Sequence, residues 1–196
     1  MTLTAFLNKY DNPGAIVLLE GKRNVAEEDK ANLTLLGKLL AEKSTHILFR
    51  SGNASGADLY FSQGVAQIDS NRLQIITPYS NHRQKQSQTY NSVSMDDINM
   101  VEEPAVLYQS KSNKKMDKLV DQYVAGKKDR FSIKAAYIIR DTVKVIGTKD
   151  IPPATFGIFY DDLSDPGKGG TGHTMNVCRM NEVPLIDQKT WLDWLK

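Results

Sequence analysis

The alternation of short apolar runs with helical segments is the feature that most constrains how this chain folds. The runs are rich in aliphatic and β-branched residues and end in turn-forming residues, which is typical of buried strands. Strands are predicted at Ala15–Leu19, His46–Phe49, Leu73–Thr77, Ala154–Tyr160 and Val183–Ile186. Because helical segments separate them, the order predicts parallel βαβ units.

Helices are predicted from apolar residues spaced three or four apart. Leu33, Leu36 and Leu40 form such a stripe, and acidic residues occupy the first turn of the same segment, where the helix dipole favours them. The predicted helices are Ala26–Glu42, Ala57–Gln67, Asn113–Ala125, Phe131–Ile146, His173–Met180 and Trp191–Leu195. Part of Phe131–Ile146 can alternatively form a strand. A helix is favoured there, because a crossover connection must precede the next parallel strand.

These elements predict an α/β, Rossmann-like three-layer fold with a mostly parallel sheet of about five strands. The 196 residues suit one domain over 1–196. A helical or loop insertion is expected at about 81–130. Within it, Asn81–Asn99 is polar and is interpreted as a loop with one or two short helical turns.

Composition excludes several classes of protein. The net charge is +2, too small to predict a nucleic-acid groove by itself. The single cysteine, Cys178, cannot form an intrachain disulfide and is interpreted as a small buried helix residue. No apolar run approaches the length of a membrane span, and Met1–Asn12 lacks the features of a signal peptide, so we expect a cytoplasmic protein.

Three loops rich in small and polar residues follow predicted strands. The carboxyl ends of parallel strands form the ligand edge of such a sheet, and glycines before a helix let the backbone approach a phosphate. The candidate ligand-binding residues are Gly21, Lys22, Arg23, Asn24, Ser51, Gly52, Asn53, Ala54, Gly56, Asp58, Gly169, Gly170, Thr171, Gly172, His173 and Thr174. Neither the Walker spacing nor G-x-G-x-x-G after the first strand is present, which weakens ordinary ATPase and dehydrogenase hypotheses.

Three residues are candidates for catalysis, and each also has a structural interpretation. Asp58 can cap a helix, brace the loops or bind a ribose, and His173 can contact phosphate or act as an acid or base. Asp161, with Asp162, can bind sugar hydroxyls or a metal, although solvation in a loop is the commoner role. Arg140 and Asp141 are expected on a solvated helix face. The histidines lack ligand-like spacing, so no metal site is predicted.

The ordered trio of Gly-Lys-Arg, Ser-Gly-Asn-Ala-Ser-Gly-Ala-Asp and Gly-Gly-Thr-Gly-His-Thr resembles the SLOG superfamily. That group includes the Smf/DprA proteins, the LOG phosphoribohydrolases and the YpsA-like proteins. The resemblance spans about Ala15 to Ile186, and it implies a Rossmann-like fold, a nucleotide-type ligand and a homodimer. The LOG motif has Glu where this chain has Asn176, so the resemblance does not carry over the hydrolytic carboxylate.

The leading hypothesis is therefore a nucleotide-ligand binder that acts as a sensor, carrier or sequestering protein. One alternative is a nucleotide N-glycosidase in which Asp58, Asp161 or His173 replaces the missing Glu. The other is a single-stranded DNA-binding module of Smf/DprA type. Its phosphate contacts would come from Lys111, Lys114, Lys115, Lys127, Lys128 and Arg130.

Overall fold

The computed structural model describes residues 1–89, 91–112, 116–127, 129–131 and 133–196. Within these ranges, six strands form one parallel sheet in the order β4-β3-β2-β1-β5-β6. The strands are β1 Ile16–Gly21, β2 Leu48–Ser51, β3 Leu73–Thr77, β4 Ser92–Ser94, β5 Phe156–Tyr160 and β6 Leu185–Ile186. The predicted parallel α/β, Rossmann-like architecture is confirmed, with six strands where about five were expected.

Helices cover both faces of this sheet. They are α1 Leu3–Tyr10, α2 Glu27–Lys43, α3 Ala57–Asp69, α4 Pro104–Ser110, α5 Asp117–Val124, α6 Ile133–Ile146, α7 Gly169–Met180 and α8 Gln188–Trp191. The favoured helical interpretation of Phe131–Ile146 is confirmed. None of the helices in the described ranges is long and apolar enough to cross a membrane.

Alternation along β1 shows how the layers form. Val17 and Leu19 lie in the core shared with α1, α2 and α3, whereas Ile16 and Leu18 lie in the core shared with α6 and α7. Successive strand side chains point to opposite faces, so a buried central strand must be apolar at nearly every position. Cys178 is buried in α7, as expected.

Several predicted features need correction. Strand β4 replaces part of the loop expected at Asn81–Asn99, because a strand of only three residues, Ser92-Val93-Ser94, is too short to show an apolar alternation. Helices α1 and α4 were not predicted, and α8 spans Gln188–Trp191, ahead of the expected Trp191–Leu195, where a 3-10 turn follows instead. Helix α7 begins at Gly169, four residues before the expected start at His173, because the glycines form its first turn. Helix α5 begins at Asp117, and part of the expected Asn113–Ala125 helix lies outside the described residues.

Candidate functional site

A cleft opens at the carboxyl ends of β1 and β5. Strands β2, β3 and β4 follow on one side of β1, and β5 and β6 lie on its other side. Strand order therefore reverses at the boundary between β1 and β5. Ligands of open parallel sheets bind at such a point. The cleft has a volume of about 520 Å³ and is lined by residues from the first loop, from α6 and from the first turn of α7. We call it the charged cleft.

The charged cleft brings together part of the predicted set. Its lining includes Gly21, Lys22, Arg23, Asn24, Ala54, Asp58, Gly169, Gly170 and Thr171. The second loop contributes less than expected, because its side chains make internal contacts. Ser51 Oγ donates to the Leu19 carbonyl at 2.8 Å, and the Gly52 carbonyl accepts from Arg140 at 2.8 Å.

Gly56 serves as a spacer between the first two loops. Its φ is +89°, which favours glycine, and a Cβ there would collide with the Arg23 carbonyl. The adjoining Ala57 amide donates to the Lys22 carbonyl at 3.2 Å. The second loop therefore supports the first loop from behind.

Asp58 ties these two loops together. Its Oδ1 accepts from the Gly21 amide at 3.1 Å and its Oδ2 from the Ala54 amide at 3.4 Å. Burial raises the pKa of Asp58, against the opposing effect of Lys144 and Arg140. Of the roles considered from sequence, loop bracing is the one that the geometry displays.

The floor of the charged cleft is a buried ion network that the sequence did not reveal. Arg140 and Asp141 are 5% and 3% exposed, so the expectation of a solvated helix face was wrong. Arg140 Nη2 lies 2.6 Å from Asp141 Oδ1, and Lys144 Nζ lies 2.8 Å from the same oxygen. Lys144 also contacts Glu20 Oε1 at 2.6 Å. These side chains are buried because α6 turns this face onto the end of β1.

Burial and charge act differently on the two carboxyls that Lys144 contacts. Burial raises the pKa of Glu20 to about 7, although the Lys144 ammonium favours its ionised form. Burial also opposes ionisation of Asp141, but the adjacent Arg140 and Lys144 outweigh it and lower that pKa. Asp141 thus holds a negative charge at neutral pH, while burial shifts the pKa of Glu20 upward toward neutral pH.

The first turn of α7 closes the charged cleft. The Lys168 side chain does not cap this helix, and among the described residues no other side chain does so. A helix of this kind leaves its first N–H groups unpaired and carries a partial positive charge at that end. Gly172 is required here because a Cβ would collide with the Gly167 backbone.

A second cavity, of about 730 Å³, lies on the other side of the same glycine turn. It shares Lys168, Gly169 and Gly170 with the charged cleft. Met116 and Ile138 give it an apolar wall, while His173 and Asn176 come from α7. We call it the apolar-walled cavity.

The remaining catalytic candidates are engaged within the protein. His173 is 6% exposed, its Nε2 lies 3.0 Å from Thr142 Oγ1, and burial lowers its pKa. Thr174 Oγ1 donates to the Gly170 carbonyl at 3.1 Å. Asp161 is 3% exposed, so the expected solvated loop role was wrong; its Oδ2 accepts from the Gly167 amide at 3.0 Å and shapes the approach to α7.

The predicted basic patch for DNA is largely neutralised where it can be described. Lys111 pairs with Asp121 at 2.5 Å, and Lys127 pairs with Asp129 at 3.0 Å. Arg130 lies over the Phe131 ring, with 5.1 Å between the guanidinium and the ring centroid. Lys114, Lys115 and Lys128 lie outside the described residues. Among the described residues, no group of three or more His, Cys, Asp or Glu side chains is placed to hold a metal ion.

Comparison with known proteins supports the architecture. The chain is similar in structure to DNA processing protein A from Helicobacter pylori, whose single-stranded DNA binding mode has been described. The TM-score is 0.51 at 16% identity, and the match covers 91% of this chain and 67% of that protein. The likeness shows a shared Rossmann-like fold. No protein-family model matches the sequence, and no curated protein matches it significantly.

Proposed function

We propose that this chain binds a nucleotide-type ligand whose phosphate lies in the charged cleft, at the N-terminus of α7. The observation that carries the proposal is the uncapped first turn of this 12-residue helix, which lines a cleft where strand order reverses. Unpaired backbone N–H groups and the helix dipole together suit a phosphate. A sensor, carrier or sequestering protein requires this binding and no reaction.

The rim of the charged cleft adds positive charge. Lys22, Arg23 and Lys168 all line it. Lys22 is partly engaged, since its Nζ lies 3.6 Å from Asp162 Oδ1, and Lys168 pairs with Asp165. Both pairs are at least partly exposed, so a phosphate can replace the carboxylates at small cost.

Asp141 determines where along the cleft the phosphate binds. Its Oδ2 lies 3.0 Å from the position that a Cβ on Gly170 would take, so a negative charge already faces that part of the helix end. Like charges repel strongly in a buried setting. The phosphate therefore binds toward the rim, beside Lys22 and Lys168, while the apolar-walled cavity receives the rest of the ligand.

Isothermal titration calorimetry tests this proposal. AMP, ADP-ribose and a cyclic dinucleotide are compared with adenosine, which lacks phosphate. We expect at least one phosphorylated ligand to bind, adenosine to bind at least tenfold more weakly, and Lys22→Ala to weaken the nucleotide about tenfold. Lys149→Ala, an exposed lysine outside the cleft, is the control and leaves the affinity unchanged. Absence of binding by every nucleotide, or equal binding of adenosine, contradicts the proposal.

A second candidate function is single-stranded DNA binding, and a cluster of rings and guanidinium groups favours it. The exposed Arg23 lies 5.8 Å from the Tyr137 ring centroid, and the Tyr79 ring stands perpendicular to Tyr137 at 6.4 Å. Arg140 lies 5.4 Å from the same centroid but is buried, so it supports the ring rather than contacting a base. Aromatic and guanidinium surfaces stack bases without sequence preference. The structural neighbour binds single-stranded DNA, which supports the same candidate.

Fluorescence anisotropy with a labelled thymidine oligonucleotide separates the two candidates. If DNA binds at this cluster, affinity falls steeply between 50 and 200 mM salt, as expected from about 0.7 counterions released per neutralised phosphate. Arg23→Ala then weakens binding several-fold, whereas Arg130→Ala has little effect. A larger loss in Arg130→Ala would place DNA on the originally predicted basic patch instead.

A further inference from the structure

A third cavity borders the carboxyl ends of β3 and β4 and extends along β4 to Ser70 and Thr89, which precede these two strands. Its volume is about 600 Å³, and it borders Asn53, Thr77, Ser80, Gln84, Ser94 and Asp97. The other residues that line it are hydroxyl or amide residues and His82. We call it the polar cavity. Among the residues that the structure describes, no apolar side chain belongs to its lining.

Charge is nearly absent from the polar cavity. Asp97 is the one carboxylate among its lining residues, and neither lysine nor arginine is among them. His82 is neutral at pH 7, because burial lowers its pKa to about 4, assisted by the charges of Arg140, Arg83 and Arg23. A phosphate finds no cation here, and a hydrophobic group finds no apolar wall, so the chemistry suits a neutral ligand with many donors and acceptors.

Hydrogen bonds within the protein fix one part of this lining. Asn53 Nδ2 donates to the carbonyls of His82 and Arg83 at 3.2 and 3.3 Å. Ser80 Oγ donates to Ser94 Oγ at 3.3 Å. These contacts hold the segment after β3 against the ends of β2 and β4, so the wall is formed before any ligand arrives.

Another part of the lining is left without protein partners. The side chains of Asn81, Gln84 and Asp97 form no hydrogen bond or ion pair with any residue that the structure describes. Gln84 and Asp97 are exposed. The Gln84 amide supplies donors and an acceptor, and the Asp97 carboxylate supplies two acceptor oxygens, so the two side chains can pair with the hydroxyls of a ligand.

Backbone strain is concentrated around the same cavity. Among the described residues, the non-glycine residues with positive φ are Asn53, Asn81, Arg83 and Glu182. Asn53 and Asn81 line the polar cavity, and Arg83 follows His82 in the chain. Their φ values are +52°, +63° and +49°. Asparagine tolerates this conformation better than most residues, whereas for Arg83 it costs about 1 to 2 kcal/mol; such residues cluster at functional sites.

We propose that the polar cavity binds a neutral, hydroxyl-rich group of the sugar type, through Gln84 and Asp97, at a site separate from the phosphate site. The proposal does not depend on nucleotide binding in the charged cleft. Among the described residues, the two sites share no lining residue: Asn53 lines the polar cavity, and its neighbour Ala54 lines the charged cleft.

Backbone-amide NMR titration with D-ribose, adenosine and inorganic phosphate tests this site. We expect D-ribose to shift the amides of Asn53, Ser80–Gln84 and Ser94, with a dissociation constant on the order of millimolar. The double variant Gln84→Ala/Asp97→Ala weakens binding about tenfold, which corresponds to about 1.4 kcal/mol. Gln67→Ala, an exposed glutamine on α3, and Lys22→Ala in the charged cleft leave the D-ribose affinity unchanged.

Several results would overturn the proposal. If D-ribose at ~100 millimolar, a hundredfold above the expected dissociation constant, shifts none of these amides, the cavity holds only solvent. Phosphate that shifts them more strongly than D-ribose shows that an anion is preferred. Adenosine binding without D-ribose binding assigns recognition to the base rather than to hydroxyls. If Lys22→Ala weakens D-ribose binding as much as the double variant does, D-ribose binds in the charged cleft and not at a separate site.

Discussion

The charged cleft and the polar cavity both border the carboxyl ends of strands in one sheet, yet they have opposite chemistry. The cleft is built on buried ions, with Lys144 at 1% exposure between two carboxylates. The cavity is built on neutral hydroxyls and amides and contains a neutral histidine. Both are positioned by strand ends, so the difference comes from the elements that cover each end. Helix α6 brings charges to β1, whereas the residues of the segment after β3 that line the polar cavity are serine, asparagine, glutamine, threonine and a neutral histidine.

This contrast extends to pH. Glu20 in the cleft has a raised pKa, so its contribution to stability is present below about pH 4.5 and is lost as pH rises through about 7. His82 at the cavity has a lowered pKa, so its contribution is present above about pH 6.5 and is lost as pH falls through about 4. The two groups therefore oppose each other between about pH 4.5 and 6.5, and variants can separate them.

The largest expected effect comes from removing the central cation of the cleft. Lys144→Met leaves Glu20 and Asp141 without their shared partner, which is expected to cost about 3 to 5 kcal/mol of unfolding free energy. The loss is larger at pH 8 than at pH 6, because Glu20 can take up a proton at the lower pH. Urea denaturation measures it. Lys134→Met on the exposed part of α6 is the control, and an equal loss in both variants refutes a special role for the ion network.

The next largest effect is expected when Glu20 is replaced by a residue that does not titrate. Glu20→Gln imitates the protonated carboxyl at every pH, so its stability relative to wild type increases from pH 5 to pH 8, by about 1 to 3 kcal/mol. Unfolding midpoints across this range check the sign. A constant difference between the two proteins would mean that Glu20 does not titrate in this range.

The contact between the two regions is tested at Asn53. Asn53→Gly removes two hydrogen bonds, at a cost of about 1 to 2 kcal/mol, and tolerates the positive φ. Asn53→Ala removes the same bonds and adds strain, so it is expected to be about 1 kcal/mol less stable than Asn53→Gly. Thermal denaturation compares the two. If Ala equals or exceeds Gly in stability, the backbone conformation is not strained.

The cavity side of the pH contrast has a smaller expected effect. His82→Gln removes a group that must be neutral when folded, so the variant loses less stability than wild type between pH 6.5 and 4.5, by on the order of 1 kcal/mol after solvent screening. His46→Gln, at the exposed start of the β2 region, is the control. If the unfolding free energies of His82→Gln and wild type fall equally as pH is lowered, groups other than His82 cause the acid dependence.

The smallest effect separates stability from binding at the rim. Lys22→Ala breaks only a partly exposed ion pair with Asp162, so unfolding free energy is expected to change by less than about 0.5 kcal/mol. The same substitution is expected to weaken a phosphorylated ligand about tenfold. A stability loss above 2 kcal/mol would make Lys22 a structural residue.

The sequence by itself determined the architecture and the location of the glycine turns. Period-two and helical patterns are local, so β1, β3, β5 and the helices α2, α3 and α6 were predicted to within a few residues. The strand β4 was missed, because its three residues, Ser92-Val93-Ser94, are too few to show an alternation of apolar and polar side chains. The predicted loops at Gly21–Asn24 and Gly169–Thr171 do line one cleft, since carboxyl ends of parallel strands share an edge.

Only the tertiary structure decided which polar residues are buried and what they contact. Arg140, Asp141 and Lys144 look like an ordinary solvated helix turn, and their burial depends on the rotation of α6 against β1, which contacts distant in sequence determine. Likewise, Ser51, Gly52 and Gly56 could be recognised as loop residues, but their contacts with β1, α6 and the first loop depend on partners up to 88 residues away. Local spacing specifies elements, whereas the electrostatics of a site arise from where those elements meet.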